Sequence, residues 1–228
     1  MGKAIEQVAL DSGHEVVVRF NSPDDWGNFG SLLSSADVAI EFSSPDVVVS
    51  NILRCFDANV PVVVGTTAWE DKLERIREAC LRGNHSILVA SNFSIGVNIF
   101  NKINRNLAAL MNNQLQYDAK IAETHHVHKL DSPSGTAKLL ANEILKQVDR
   151  KHGWVNQESA NTNELGIISH RVDEVPGTHV VSWFSEEDEI EIKHTAKNRF
   201  GFAKGALMAA CWLPGKKGFF GMDDMLIG

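Results

Sequence analysis

The sequence predicts a two-domain α/β protein: a parallel sheet with helical crossovers comes first, and an α+β domain with a mixed sheet follows. Three observations carry this. Over residues 1–91 helical patterns alternate with short, continuously apolar runs, as expected of strands buried on both faces beneath crossover helices. Beyond residue 111 strand-like runs outnumber helical ones, and "DEIEIKHTA" (188–196) alternates cleanly, as a strand with a solvated face does. The 228 residues, 43% hydrophobic and 22% charged, suffice for one large soluble domain or two smaller ones.

Taken in order, "KAIEQVAL" (3–10) puts Ile5, Val8 and Ala9 on one helical face, and Gly13 stops the helix. "EVVVRF" (15–20) is a β-branched run and is expected to be a buried strand. Residues 21–35, with Pro23, Gly27 and Gly30, are expected to form a loop. "DVAIEF" (37–42) is the next strand. "SSP" (43–45) then starts a helix with Pro45 in its first turn, running to about Asn59 and burying Val48, Ile52, Leu53 and Phe56. A buried strand at 60–67, a charged amphipathic helix at 70–82 and a strand at 86–90 complete the series. Helices follow at 97–111 and 134–148, the latter with Leu140, Ile144 and Val148 in register. Strands are expected at 115–124, 166–172, 178–185 and 188–196, then a helix at 202–213 and a Gly-rich tail.

A dinucleotide-binding (Rossmann-like) sheet opens with strand, Gly-rich turn and helix. Here the helix comes first, and Met1-Gly2-Lys3 stands where the end of such a turn would be. The expectation is a Rossmann-like domain whose first strand is missing, in a chain truncated from a longer protein.

The net charge of -7 and a pI near 5.7 argue against non-specific binding to nucleic acid or to an anionic membrane. Cys55, Cys80 and Cys211 are odd in number and far apart, which suits neither a disulfide framework nor a thiolate zinc site. With no apolar run long enough to span a bilayer, the expected location is the cytoplasm.

The chemistry concentrates in "ETHHVHKLDSPSGTA" (123–137), which places three histidines, a lysine and two acids in its first nine residues. A metal site would use His125, His126 and His128, yet alternation sets 125 opposite the other two, and H-E-x-x-H is absent. An acid–base site fits better. Histidine exchanges protons near neutral pH, Lys129 carries a fixed charge, and Ser134-Gly135-Thr136 opens a helix whose N–H groups suit a carboxylate or phosphate. The plain alternative is a polar loop with an N-cap serine.

This stretch closely resembles the E-x-H-H-x-x-K-x-D-x-P-S-G-T-A signature of bacterial dihydrodipicolinate reductases. "VVVGTT" (62–67), "ASNFSIGVN" (90–98), "HTAKNRFGFAKGAL" (194–207) and "GFFGMDDML" (218–226) resemble further segments of that family, in family order over nearly the whole chain. The resemblance implies reduction of 4-hydroxy-tetrahydrodipicolinate to tetrahydrodipicolinate in lysine and diaminopimelate biosynthesis, with NADPH or NADH as hydride source. It implies His125 as proton donor and Lys129 as the second catalytic group. His126, Gly135 and Thr136 would hold the carboxylates of a cyclic dicarboxylate. Gly65, Thr66, Thr67, Ala90, Ser91, Asn92 and Phe93 would line the nicotinamide side. It further implies a dinucleotide domain of residues 1–93 and 209–228, a substrate and oligomerisation domain of residues 94–208, and a homotetramer. The chain departs from the family at the Gly-rich turn, whose earlier glycines are missing. It departs again at "VRFNS" (18–22), where an acid or base would meet the adenosine ribose: Arg19 is expected to contact the cofactor and would tolerate a 2′-phosphate, yet neither it nor Asn21 selects between NADH and NADPH.

Glu123 and Asp131 are expected to orient the loop, and His128 to face solvent. For His194 and Arg199 a structural or hinge role is as well supported as a catalytic one. Trp154, Trp183 and Trp212 read as packing residues and the cysteines as inert. The competing functions are a dicarboxylate-binding protein without turnover and, further off, a metal-dependent hydrolase built on the histidines.

Overall fold

The computed structural model describes residues 1–158, 161–198 and 200–227, so Arg199 lies outside the described residues. In chain order it runs α1 (Gly2–Asp11), α2 (Pro23–Phe29), a 3-10 turn (Gly30–Ser35), β1 (Ala39–Glu41), α3 (Val48–Asp57), β2 (Val62–Val64), a 3-10 turn (Glu70–Lys72), α4 (Leu73–Arg82), β3 (Ser86–Val89) and α5 (Ile95–Met111). Then come β4 (Asp118–His125), α6 (Gly135–Gln147), β5 (Gly153–Val155), β6 (Glu164–Arg171), β7 (Thr178–Phe184), β8 (Glu189–Thr195), α7 (Phe200–Trp212), β9 (Gly218–Phe220) and α8 (Met222–Ile227).

The chain divides into two compact units, Met1–Ile95 with Phe200–Gly228, and Gly96–Arg199. The first holds a four-stranded, all-parallel sheet in the order β1-β2-β3-β9. Val62, Val63 and Val64 are fully buried, because helices cover both faces of the sheet. On one side Val48, Ile52 and Phe56 of α3 and Ile76 and Cys80 of α4 pack on Val62, Val64 and Ile87. On the other, Ile5 and Val8 of α1 and Ala203, Ala206 and Ala209 of α7 pack on Val63 and Leu88. Small residues on α7 allow a close approach: a Cβ on Gly205 would lie 1.7 Å from the Phe93 carbonyl oxygen. All of α7 therefore belongs to this unit, whereas the sequence expectation divided it at residue 208.

Three further expectations are corrected here. Residues 15–20 form no strand: among the described residues no neighbour pairs with them, and extended backbone becomes a strand only through a ladder. The loop expected at 21–35 is helical. Pro23 is the first helical residue, and the Asp25 carboxylate accepts from the backbone N–H groups of Asn21 (2.6 Å) and Ser22 (2.9 Å). Pro45 precedes α3 rather than opening it, because a turn closed by Val47 and Val48 N–H groups onto the Ser44 carbonyl comes first.

The second unit holds a five-stranded mixed sheet in the order β5-β6-β4-β7-β8. β4 runs parallel to β6 and antiparallel to β7. One face buries Ala119, Ile121, Leu165, Ile167, Val181 and Trp183 against Phe100 and Ala108 of α5 and Leu140 and Ile144 of α6. The edge strand β8 is exposed along most of its length rather than on one face alone. Trp183 is fully buried and Trp154 packs at the rim of this core. Cys55 and Cys80 are buried free thiols and Cys211 is exposed. Among the described residues no helix is long and apolar enough to cross a membrane.

Candidate active site

Strand β4 alternates strictly, so Ala119, Ile121, Glu123 and His125 share the buried face. The first two belong to the core. The last two continue the same file as ionisable groups, at the end of the strand nearest the start of α6. The register brings Glu123 opposite Ser169 of β6 and His179 of β7, and His125 opposite Arg171.

Glu123 is fully buried and fully engaged. Its Oε2 holds His125 Nδ1. Its Oε1 accepts from both terminal nitrogens of Arg171 (3.1 and 3.0 Å) and from the Ser134 backbone N–H (3.3 Å). Burial alone would raise its pKa. The bonds from His125, Ser169 and Arg171 outweigh that and pull it down to about 2, so the carboxylate is ionised. A carboxylate on Nδ1 leaves Nε2 as the working end of the His125 ring. That nitrogen looks toward Gly177, where a Cβ would lie 3.0 Å away and where φ is +152°. Glycine serves both needs at this position.

Ser134 caps α6, its hydroxyl oxygen accepting from the Ala137 N–H (3.2 Å). The same oxygen lies 3.1 Å from His179 Nε2. Burial, then the neighbouring His125, hold the His179 pKa down to about 4, so this ring is neutral. The rings of His125 and His179 meet edge to face at 5.1 Å.

Lys129 Nζ pairs with Asp131 at 2.7 Å, and the lysine keeps the Asp131 carboxyl below its ordinary range. Arg171 donates to the carbonyls of Lys129 (3.3 Å) and Asp131 (2.6 Å), which ties this loop to β6. His128 is exposed and meets Glu174 at 3.3 Å. The ring of His126 is half-buried, 6.1 Å from that of His128. A Cβ on Gly135 would meet nothing within 4 Å, and the Gly135 N–H at the start of α6 bonds the Asp131 carboxylate. His125 ends β4, His126 and Lys129 lie on the loop that follows, and Gly135 and Thr136 open α6. His194 lies on β8 beside His179, its ring 6.0 Å from that of Phe100.

Glu123, His125 and His179 offer donor atoms within 4.8 Å of one another. The set does not suit a cation, because both Glu123 oxygens are in use and a guanidinium stands beside them. The histidine set weighed from sequence, 125, 126 and 128, does not converge, since His128 is turned to Glu174.

In the first unit the loops after β1, β2 and β3 meet at the carboxyl edge of the parallel sheet, where α/β sheets of this kind bind ligands. Thr66 donates its hydroxyl to the buried Glu41 (2.6 Å) and accepts from the Ser43 N–H (2.8 Å). Gly65 is required by packing: a Cβ there would lie 2.1 Å from the Phe42 ring. Phe42 in turn meets Phe93 at 5.6 Å. Thr67 and Ser91 are exposed, and Asn92 caps the Ser94 N–H (2.8 Å). The seven expected residues of this edge therefore lie together. Arg19 pairs with Glu6 of α1, its Nε donating at 2.7 Å.

Sequence reasoning passed over Arg171 and His179, read Ser134 as the cap it is, and gave Glu123 too small a role. The signal was present in part. Glu123 and His179 occupy the buried phase of otherwise apolar alternating strands, and ionisable groups in that phase need partners.

Two family models match the chain: "Dihydrodipicolinate reductase, N-terminus" over residues 1–93 and "Dihydrodipicolinate reductase, C-terminus" over residues 96–226. The chain is 45% identical over 226 residues to the 4-hydroxy-tetrahydrodipicolinate reductase of Christiangramia forsetii, covering 99% of this chain and 93% of the relative. It is 35% identical over 250 residues to the protein of that name from Archaeoglobus fulgidus, covering 99% and 95%. Among solved structures, a dipicolinate-bound dihydrodipicolinate reductase from Paenisporosarcina sp. TG-14 superposes with a TM-score of 0.74 at 22% identity, over 95% of this chain and 83% of that one. This last likeness concerns the fold.

Proposed function

The chain belongs to the dihydrodipicolinate reductase family, and on that premise we propose that it reduces 4-hydroxy-tetrahydrodipicolinate to tetrahydrodipicolinate in lysine and diaminopimelate biosynthesis. It is an oxidoreductase that draws on a nicotinamide nucleotide. When bound, that cofactor supplies the hydride. Gly65, Thr66 and Thr67 after β2, with Ala90, Ser91, Asn92 and Phe93 after β3, would hold its nicotinamide end. The small side chains of Gly65, Ala90 and Ser91 and the Thr66 hydroxyl held by Glu41 suit a flat polar ring.

In the second unit we assign His125 Nε2 as the proton donor, with its ring set by Glu123. Lys129 lies one loop away and supplies positive charge to a substrate carboxylate, which would take Nζ over from Asp131. His126 and the N–H groups at Gly135 and Thr136 would hold the dicarboxylate, where the α6 dipole favours anions. The observation that carries this reading is the Glu123–His125 pair, tied through the Ser134 N–H to the start of α6. The exposed edge strand β8 supports assembly into a homotetramer, and the cytoplasm is the proposed location.

The test is to titrate NADH and NADPH separately in the presence of pyridine-2,6-dicarboxylate, then to follow nucleotide oxidation with the substrate. Turnover that falls at least about 100-fold in His125→Asn is expected. Dicarboxylate binding without nucleotide binding would instead leave a binding protein.

A further inference from the structure

We propose that Arg171 is a positioning residue that sets both proton-handling groups of the site, His125 through Glu123 and Lys129 through the backbone of its loop. The inference rests on the reductase reading and adds a residue that the reading does not use.

All three nitrogens of the guanidinium are committed. Nη1 and Nη2 converge on Glu123 Oε1 at 3.1 and 3.0 Å, and Nη1 also reaches the His170 carbonyl at 2.7 Å. Nε donates to the Lys129 carbonyl at 3.3 Å and Nη2 to the Asp131 carbonyl at 2.6 Å. One planar cation therefore spans the strand that carries His125 and the loop that carries Lys129. An ammonium could match its charge but not its reach.

The electrostatics give Arg171 a second task. Around His125 stand Glu123 on its own strand, the neutral His179 from β7 and Arg171 opposite it on β6, while Ser134 at the start of α6 meets His179 and Glu123 and the Lys129–Asp131 pair lies on the loop after β4. Glu123 favours a proton on the His125 ring, and Arg171 offsets that pull. With the guanidinium gone, the buried carboxylate would hold the imidazole proton too tightly for efficient donation. With the carboxylate gone, the proton would be lost too early.

The test compares pH profiles of kcat in Arg171→Met, Glu123→Gln, the double variant and Arg171→Lys. Circular dichroism and pyridine-2,6-dicarboxylate binding serve as checks on folding. The basic limb, where the donor loses its proton, is expected to move up by about one pH unit in Arg171→Met and down by about one in Glu123→Gln. It should return near the wild-type position in the double variant. Arg171→Lys should keep the wild-type midpoint while kcat falls about 10-fold, because the loop is no longer held. Shifts in the same direction, or no shift in either single variant, would overturn the proposal. If Arg171→Met does not fold, the midpoints of Glu123→Gln and Arg171→Lys decide it alone. A wild-type chain that binds the dicarboxylate without turnover would sink the reductase reading instead. The same opposed shifts would then be sought in the NMR titration of the His125 ring, where their absence overturns the positioning claim.

Discussion

Acidification from pH 7 to 4 is expected to weaken the second unit through one imidazole. His179 is 5% exposed, hydrogen-bonds the Ser134 hydroxyl at Nε2, and has no partner at Nδ1 among the described residues. Burial, then the neighbouring His125, lower its pKa from 6.5 to about 4. Because the folded value lies below the unfolded one, the unfolded chain takes up the proton first. The stabilisation is therefore fully present above pH 6.5, declines as pH falls, and is gone below about pH 4. A displacement of this size corresponds to about 3 kcal/mol. His194 and His85, whose pKa values burial also lowers, act in the same direction. The informative quantity is thus the difference between wild type and His179→Gln. Urea melts at pH 7.5, 6, 5 and 4 should show the wild type losing about 3 kcal/mol more than the variant over that range. NMR of the His179 ring should place its titration near pH 4. A midpoint near 6.5, or equal losses in both proteins, would refute the argument. Glu123 makes a separate contribution at lower pH: its stabilisation is present above about 4.5 and lost as pH falls through about 2.

Two further expectations concern packing and a buried charge. Gly205→Ala would set a Cβ 1.7 Å from the Phe93 carbonyl oxygen, a backbone atom that cannot step aside, so the first unit should lose about 3 kcal/mol or more in a thermal melt. Lys151 has a fully buried side chain whose Nζ meets Asp118 at 2.5 Å and the Glu164 carbonyl at 2.6 Å. Lys151→Ala should cost the second unit about 3 kcal/mol by urea melt, and Lys151→Met clearly less, because it keeps the packing and the partly exposed Asp118 can hydrate.

Periodicity alone recovered most of the architecture. The valine run at 62–64 and the file Ala119, Ile121 are buried strand positions, and Leu140 with Ile144 marks the inner face of α6. These signals are local: side-chain spacing of two or 3.6 residues is written in the sequence itself. The errors arose where pairing or capping decides. Residues 15–20 have strand composition but no ladder, and residues 23–29 form a helix despite Pro23 and Gly27 because Asp25 caps its start. The short strands β5 and β9 exist only because β6 and β3 offer them an edge.

The site divides along the same line. By itself the sequence determined that His125, Lys129, Gly135 and Thr136 stand close along the chain, since they occupy one strand end, one loop and one helix start within twelve residues. Only the tertiary structure decided which end of His125 is held. That depends on Glu123 at its Nδ1, on Arg171 from a parallel neighbour strand and on His179 from an antiparallel one. Register between strands distant in sequence is set by how whole faces pack, and no local spacing encodes it.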